Sequence, residues 1–237
     1  MLYVEKVVSQ FTSMDIIKMF RQSWAGVDLL VNVVGNAIKQ RQDVHPRGKP
    51  AVSVYMKVMM LLYYMGTQST EYEIAHKFGV SDSTVFHCLS EVMNIMYNDL
   101  KSVFIKWLRG EYADTVVAGF REKRGINDVI GAIDGSHIRI FCLRQQPADY
   151  INRKNFHSII LQAVCDHKMA VTDVYVGWPG TIHNARVFRN LPLDQAAVQH
   201  QGFEKRRFLL GDAAYPLNKE MITSLKDTGM LSADKSH

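Results

Sequence analysis

The sequence predicts an α/β protein in which a mixed sheet with helices follows an all-α region, and three observations lead there. Residues 1 to about 120 place apolar side chains at helical spacing, with no alternating strand pattern. Two separate short apolar runs, Val129–Ile133 and Phe208–Leu210, each lead into an aspartate, Asp134 and Asp212. Between them, Ile159–Cys165 and Ala170–Gly177 read as two strands around the turn Asp166-His167-Lys168.

A chain of 237 residues can hold one large domain or two small ones, with ample length for a buried core. Its hydrophobic fraction of 47% and charged fraction of 22% are those of an ordinary soluble globular protein. The net charge of +5 and pI of about 9.0 suit a polyanionic partner without establishing one. Cys88, Cys142 and Cys165 are odd in number and widely spaced, so neither a disulfide framework nor a zinc ribbon is indicated, and a reducing compartment is expected. The first residues lack the grading of a secretory signal, and the longest apolar stretch, Val58 to Gly66, is too short to cross a bilayer. The expectation is a soluble intracellular protein with no membrane partner.

Taken in order, Met14, Ile16, Ile17 and Phe20 predict a first helix with Ser13 as its N-cap, and Val27 to Ile38 a second. The run Lys39–Pro50 is polar, basic and broken by proline, which marks a linker. Val52–Tyr64 is a third helix whose methionines belong to a core. Thr70–Val92 then reads as a helix to Phe78, a tight turn at Gly79 and a second helix capped by Ser81. Small Ala75 and an apolar seam of Ile74, Phe78, Val80, Val85 and Leu89 give this pair the arrangement of a helix-turn-helix, placed at 70–97. Its second helix would present Ser83, Thr84 and His87 to DNA; an ordinary corner between two helices is the alternative. Leu100–Arg124 is a helical connector with Phe104, Trp107 and Phe120 packed, so the helical domain is drawn at 1–124 and the sheet domain at 125–237.

Val129–Ile140 is a strand that reaches Asp134, turns at Gly135 and carries on. Asp134 either accepts hydrogen bonds from the Gly135-Ser136 turn or binds a cation. If the two aspartate-ended strands are parallel neighbours, both carboxylates emerge at one sheet edge, where open α/β sheets place ligands. Two bare carboxylates about 4 Å apart repel by roughly 4 kcal/mol at an effective dielectric near 20. A divalent cation, Mg²⁺ or Mn²⁺, relieves that repulsion and suits phosphate chemistry. Arg153 and Lys154 form a small basic loop near that site. A helix starting near Thr181 precedes the Asp212 strand. Three meandering strands, a helix and a fourth strand returning beside the first make a ribonuclease-H-like topology.

Several ordered stretches then resemble one family: 132–138 (AIDGSHI), 152–158 (NRKNFHS), 161–166 (LQAVCD), 176–188 (VGWPGTIHNARVF) and 210–216 (LGDAAYP). They are similar to the motifs of the Harbinger (PIF) transposases and the nucleases that animals have domesticated from them, within the DDE endonuclease superfamily. The resemblance covers residues 11 to 235. It implies Asp134 and Asp212 as catalytic and metal-binding acids, a DNA substrate, a Myb-like companion protein and a nuclear (and cytoplasmic) setting. Asn184 stands at a metal position where the family carries an aspartate. The family's glutamate lies about 35 residues past the Asp212 position, beyond His237, so the sheet domain is expected to be C-terminally incomplete. Glu220 and Asp227 do not fit that glutamate's helix, and His137, His157 and His183 read as framework. The expected function is a metal-dependent DNA endonuclease; the alternative is a catalytically inactive or truncated DNA-binding protein.

Overall fold

Two threonines start helices in the same way. Thr12 accepts the Asp15 amide on its hydroxyl while the Asp15 carboxylate accepts the Thr12 amide, and Thr70 and Glu73 repeat the exchange. Each capping box satisfies two amides that the first turn would otherwise leave bare. The first cap is therefore Thr12, one residue before the expected Ser13, because aspartate three residues on completes the box.

The computed structural model describes residues 3, 6–41, 52–144, 146–182, 184–189 and 207–224, and divides the chain into two units, Met1–Phe104 and Ile105–His237. Of the expected linker Lys39–Pro50, residues 39–41 instead continue the helix Trp24–Arg41, and 42–50, His183 and Asp227 lie outside the described residues. No described helix is long and apolar enough to cross a membrane.

The first unit holds α1 (Ser13–Phe20), α2 (Trp24–Arg41), α3 (Val54–Thr67), α4 (Glu71–Phe78), α5 (Asp82–Ile95) and the short α6 (Lys101–Phe104). Ile16, Phe20, Val27, Val34, Met59, Met60, Ile74, Phe78, Val85 and Val92 are fully buried in one cluster. Each such side chain contributes about 1.5–3 kcal/mol relative to exposure. Phe78 is gripped edge-on by the rings of Tyr3 and Tyr63 at 5.2 and 5.9 Å. Gly79, at φ 68°, takes the left-handed conformation that ends α4, and Ser81 caps α5 by accepting the Thr84 amide.

The expected single connector from 100 to 124 is broken. After α6, Phe104 is exposed rather than packed, and α7 (Gly110–Arg124) belongs to the second unit, where Ala113 and Val116 pack with the sheet. That sheet orders its strands β3 (Val171–Pro179), β2 (Ser158–Cys165), β1 (Val129–Arg139), β4 (Phe208–Gly211) and β5 (Met221–Thr223). β3, β2 and β1 are antiparallel neighbours, whereas β4 and β5 run parallel beside β1, giving a mixed sheet of ribonuclease-H-like kind. Ile133, Ile160, Val164, Leu209 and Met221 form its packed core with Val187 and Phe188 of α8 (Asn184–Arg189).

β1 does not turn at Gly135. Its pairing with β2 continues unbroken from Ala132↔Cys165 to Arg139↔Ser158, and an intact antiparallel ladder leaves no residue free to bend. At Gly131 an added Cβ would lie 2.7 Å from Val164 Cγ1 and 3.1 Å from Leu209 Cδ2, so glycine lets the two flanking strands pack across β1.

The β2–β3 turn is docked on α7. The His167 ring lies where a side chain on Gly119 would be, and Lys123 Nζ donates to the His167 carbonyl at 2.6 Å. Gly119→Val is expected to cost about 1–3 kcal/mol through forced overpacking, read as a lower urea midpoint. Thr70→Ala is expected to cost about 1 kcal/mol by the same measurement through loss of the cap.

Candidate active site

Asp134 sits in mid-strand, where β1 outruns its parallel neighbour. β1 and β4 are in register at Ala132↔Leu210, and each aspartate lies two residues past that pair. The sequence thus brings both acids to one rim of the sheet. Both are exposed, as is Ala132 on the same side of β1, while the alternating Gly131 and Ile133 are buried.

Each carboxylate is oriented by its own backbone. Asp134 Oδ1 accepts the Gly135 amide at 2.7 Å, and Asp212 Oδ1 accepts the Ala214 amide at 2.9 Å in a side-chain turn that reverses the chain after β4. The Asp212 carbonyl also accepts the Tyr215 amide, at 3.1 Å. The second oxygen of each carboxylate takes no hydrogen bond among the described residues.

Tyr215 ties the Asp212 turn to the sheet. It is buried, its ring against Gly211, where an added Cβ would stand 3.0 Å from the ring and 2.9 Å from Met221 Sδ. Gln162 Nε2 donates to its hydroxyl at 2.7 Å. Gln162 faces Gly135 across the β1–β2 ladder, so the bond fastens the turn carrying Asp212 to β2 over the strand carrying Asp134. Burial pushes the Tyr215 phenol up to about 12; the Gln162 bond pulls the other way, and the charges of Asp134 and Asp212 add to the rise. One buried phenol therefore feels both carboxylates and keeps its proton at neutral pH.

Sequence reasoning missed Gln162 and Tyr215. Gln162 falls in phase with Ile160 and Val164 on the packed side of β2, and an amide in an apolar phase was the available signal. Its Oε1 is buried without a hydrogen-bond partner. A further tie is Arg207, buried at the start of β4 and paired with Asp114 of α7.

The donor set consists of carboxylate oxygens, which match a hard divalent cation; Mg²⁺ sites are commonly built from one or two carboxylates with water and substrate phosphate completing the shell. Among the described residues no three His, Cys, Asp or Glu side chains form a metal cluster, so the pair stands without a third acid. Asn184 opens α8, and its side chain lies outside the described atoms. Glu220 donates its amide to Asn218 Oδ1. Arg153 and Lys154 are exposed, and both lower the His137 pKa, after the larger effect of its partial burial. In the helical unit, Ser83 and His87 are exposed at the start of α5, whereas Thr84 is half-buried with its hydroxyl 2.9 Å from the Ser81 hydroxyl, engaged in the cap.

Residues 133–237 match the family of DDE superfamily endonucleases. The candidate nuclease HARBI1 of Rattus norvegicus is 27% identical over 179 residues, which cover 74% of this chain and 50% of that protein. HARBI1 of Homo sapiens is 26% identical over the same length and shares. The protein Antagonist of Like Heterochromatin Protein 1 of Arabidopsis thaliana is 24% identical over 188 residues, 73% of this chain and 46% of that one. The chain spans about half the length of the curated relatives it matches. No solved structure matches it.

Tyr215→Phe keeps the ring and strands the Gln162 amide, so a loss of about 1–3 kcal/mol is expected in urea unfolding. Because the folded phenol is raised above its ordinary 10, the stability it contributes is full below pH 10 and lost as pH rises through about 12. Burial also raises Tyr3 and Tyr55, so absorbance titration should show one late-ionising tyrosine fewer in Tyr215→Phe than in the native protein.

Proposed function

We propose that this chain, whose residues 133–237 are a DDE superfamily endonuclease domain, is a metal-dependent DNA nuclease of Harbinger transposase ancestry acting in the nucleus. One observation carries the reading: two strand-borne carboxylates at matched positions on adjacent parallel strands, both felt by one buried phenol. Asp134 and Asp212 would hold Mg²⁺ or Mn²⁺. A bound divalent ion supplies water activation and charge stabilisation at a phosphodiester.

The chain's own residues do the rest. The Gly135 and Ala214 amides fix one oxygen of each carboxylate, leaving the other to face the rim. Gln162 and Tyr215 hold the Asp212 turn in place so that the pair arrives preorganised. Arg153 and Lys154 neutralise backbone phosphate, and Ser83, Thr84 and His87 at the start of α5 offer a second DNA contact, with Thr84 contributing through its cap. A Myb-like companion would add further DNA contacts.

The second reading, a catalytically inactive DNA-binding protein, is favoured by Asn184, an uncharged residue where the resembled family carries an acid. Nicking of supercoiled DNA with Mn²⁺ separates the two. Asp134→Ala and Asp212→Ala should each slow nicking at least about 100-fold, since loss of a ligand exceeds the 10–100-fold effect of outer partners. Equal rates in wild type and Asp134→Ala overturn the nuclease reading. For the helical unit, Val85→Asp should abolish salt-dependent DNA binding by breaking the buried seam under α5.

A further inference from the structure

Five residues beyond Asp134, the same strand runs into a second organised surface. The Ile140 amide donates to the His157 carbonyl at 3.0 Å, so the chain leaving β1 stays zipped to the loop 151–157, which an Ile151–His157 bridge closes. Asn152, only 4% exposed, builds that loop from within. Its Oδ1 accepts the Lys154 and Phe156 amides at 2.8 and 3.4 Å, and its Nδ2 donates to Ser158 Oγ at 2.9 Å. Ser158 Oγ in turn lies 3.0 Å from His137 Nδ1. A buried amide thus presents Arg153 and Lys154 to solvent in a fixed turn.

The surface pairs cations with aromatic faces. The Arg139 guanidinium lies over the Phe156 ring at 4.3 Å, and Phe141, two residues on, is 95% exposed. Residues 139–157 carry Arg139, Arg144, Arg153 and Lys154 against a single acid, Asp149. This short stretch therefore holds a net +3 of the whole chain's +5. Apolar partners would gain from Phe141 but would leave these cations unmatched. A polyanion with exposed π faces answers both features, because stacking serves any base and the cations track the backbone.

We propose that this rim is a subsite for an unpaired nucleic-acid strand, with Arg139, Arg153 and Lys154 on its phosphates and Phe141 stacked on a base. The proposal rests on the DNA-nuclease reading and deepens it: the substrate carries unpaired bases to one side of the cut. Five residues of strand span about 17 Å. That is the length of about five base pairs of duplex at roughly 3.4 Å each, so the unpaired arm would begin about five base pairs from the Asp134 position.

The test is fluorescence anisotropy with the full chain in EDTA, using a blunt duplex and the same duplex ending in an unpaired arm. Phe141→Ala should weaken binding to the forked DNA about 5–100-fold, the equivalent of one lost base stack, and leave the duplex unchanged. Arg153→Ala and Lys154→Ala should each reduce the salt slope for the arm by about 0.7. Unchanged affinity of Phe141→Ala for the fork, which would point to a protein partner for that ring, overturns the proposal; so does equal weakening on fork and duplex. If wild type binds neither DNA in EDTA, the subsite falls, and Mn²⁺-dependent nicking decides the nuclease reading separately. If wild type nicks DNA but Phe141→Ala binds the fork equally well, only the subsite falls.

Discussion

The parallel pairing of β1 with β4 is the constraint on which the rest depends. It joins segments far apart in sequence, so the cost in chain entropy must be offset by packing rather than by local propensity. Gly131 makes that packing possible by leaving room for Val164 and Leu209 to meet over the central strand. The pairing of buried Arg207 with exposed Asp114 adds an attachment of α7 at the point where β4 begins. Remove the pairing and Asp134 and Asp212 become two unrelated surface acids. Keep it and they stand at equivalent positions along neighbouring parallel strands, both within electrostatic reach of one buried phenol.

Much of this was legible in the sequence, for physical reasons that differ by element. The strands around Asp134 and Asp212 announced themselves as apolar runs, and α4, Gly79 and the Ser81 cap followed from capping chemistry and the need for a positive φ. β5 was not legible: three residues, Met221–Thr223, carry no period. The turn expected at Gly135 failed because a glycine beside an aspartate looks the same in a turn and in a ladder, and only the partner strand decides. The break before α7 escaped notice since Phe104 and Trp107 are alike in type but differ in fate, the first exposed and the second packed against the sheet core.

At the candidate site, the acids were visible as residue types in a pattern, but the residues that position them were not. Gln162 and Tyr215 are 53 residues apart and meet only through the sheet. Asn152 reads locally as an ordinary loop asparagine, yet it is buried and organises the basic turn beside His137. The similarity to DDE superfamily endonucleases spans residues 133–237, a stretch that also holds Asn152, Gln162 and Tyr215.

The Gln162–Tyr215 clamp also bears on the order in which the two acids take their places during synthesis. Asp134 leaves the ribosome well ahead of Asp212, and the strand that carries it can pair with β2 while the later acid is still unmade. Only when Tyr215 has emerged and found Gln162 is the turn that carries Asp212 fastened to β2. A nascent or partly unfolded copy therefore lacks the clamp that anchors the Asp212 turn, and the later acid acquires its fixed place only at the end of this unit's assembly.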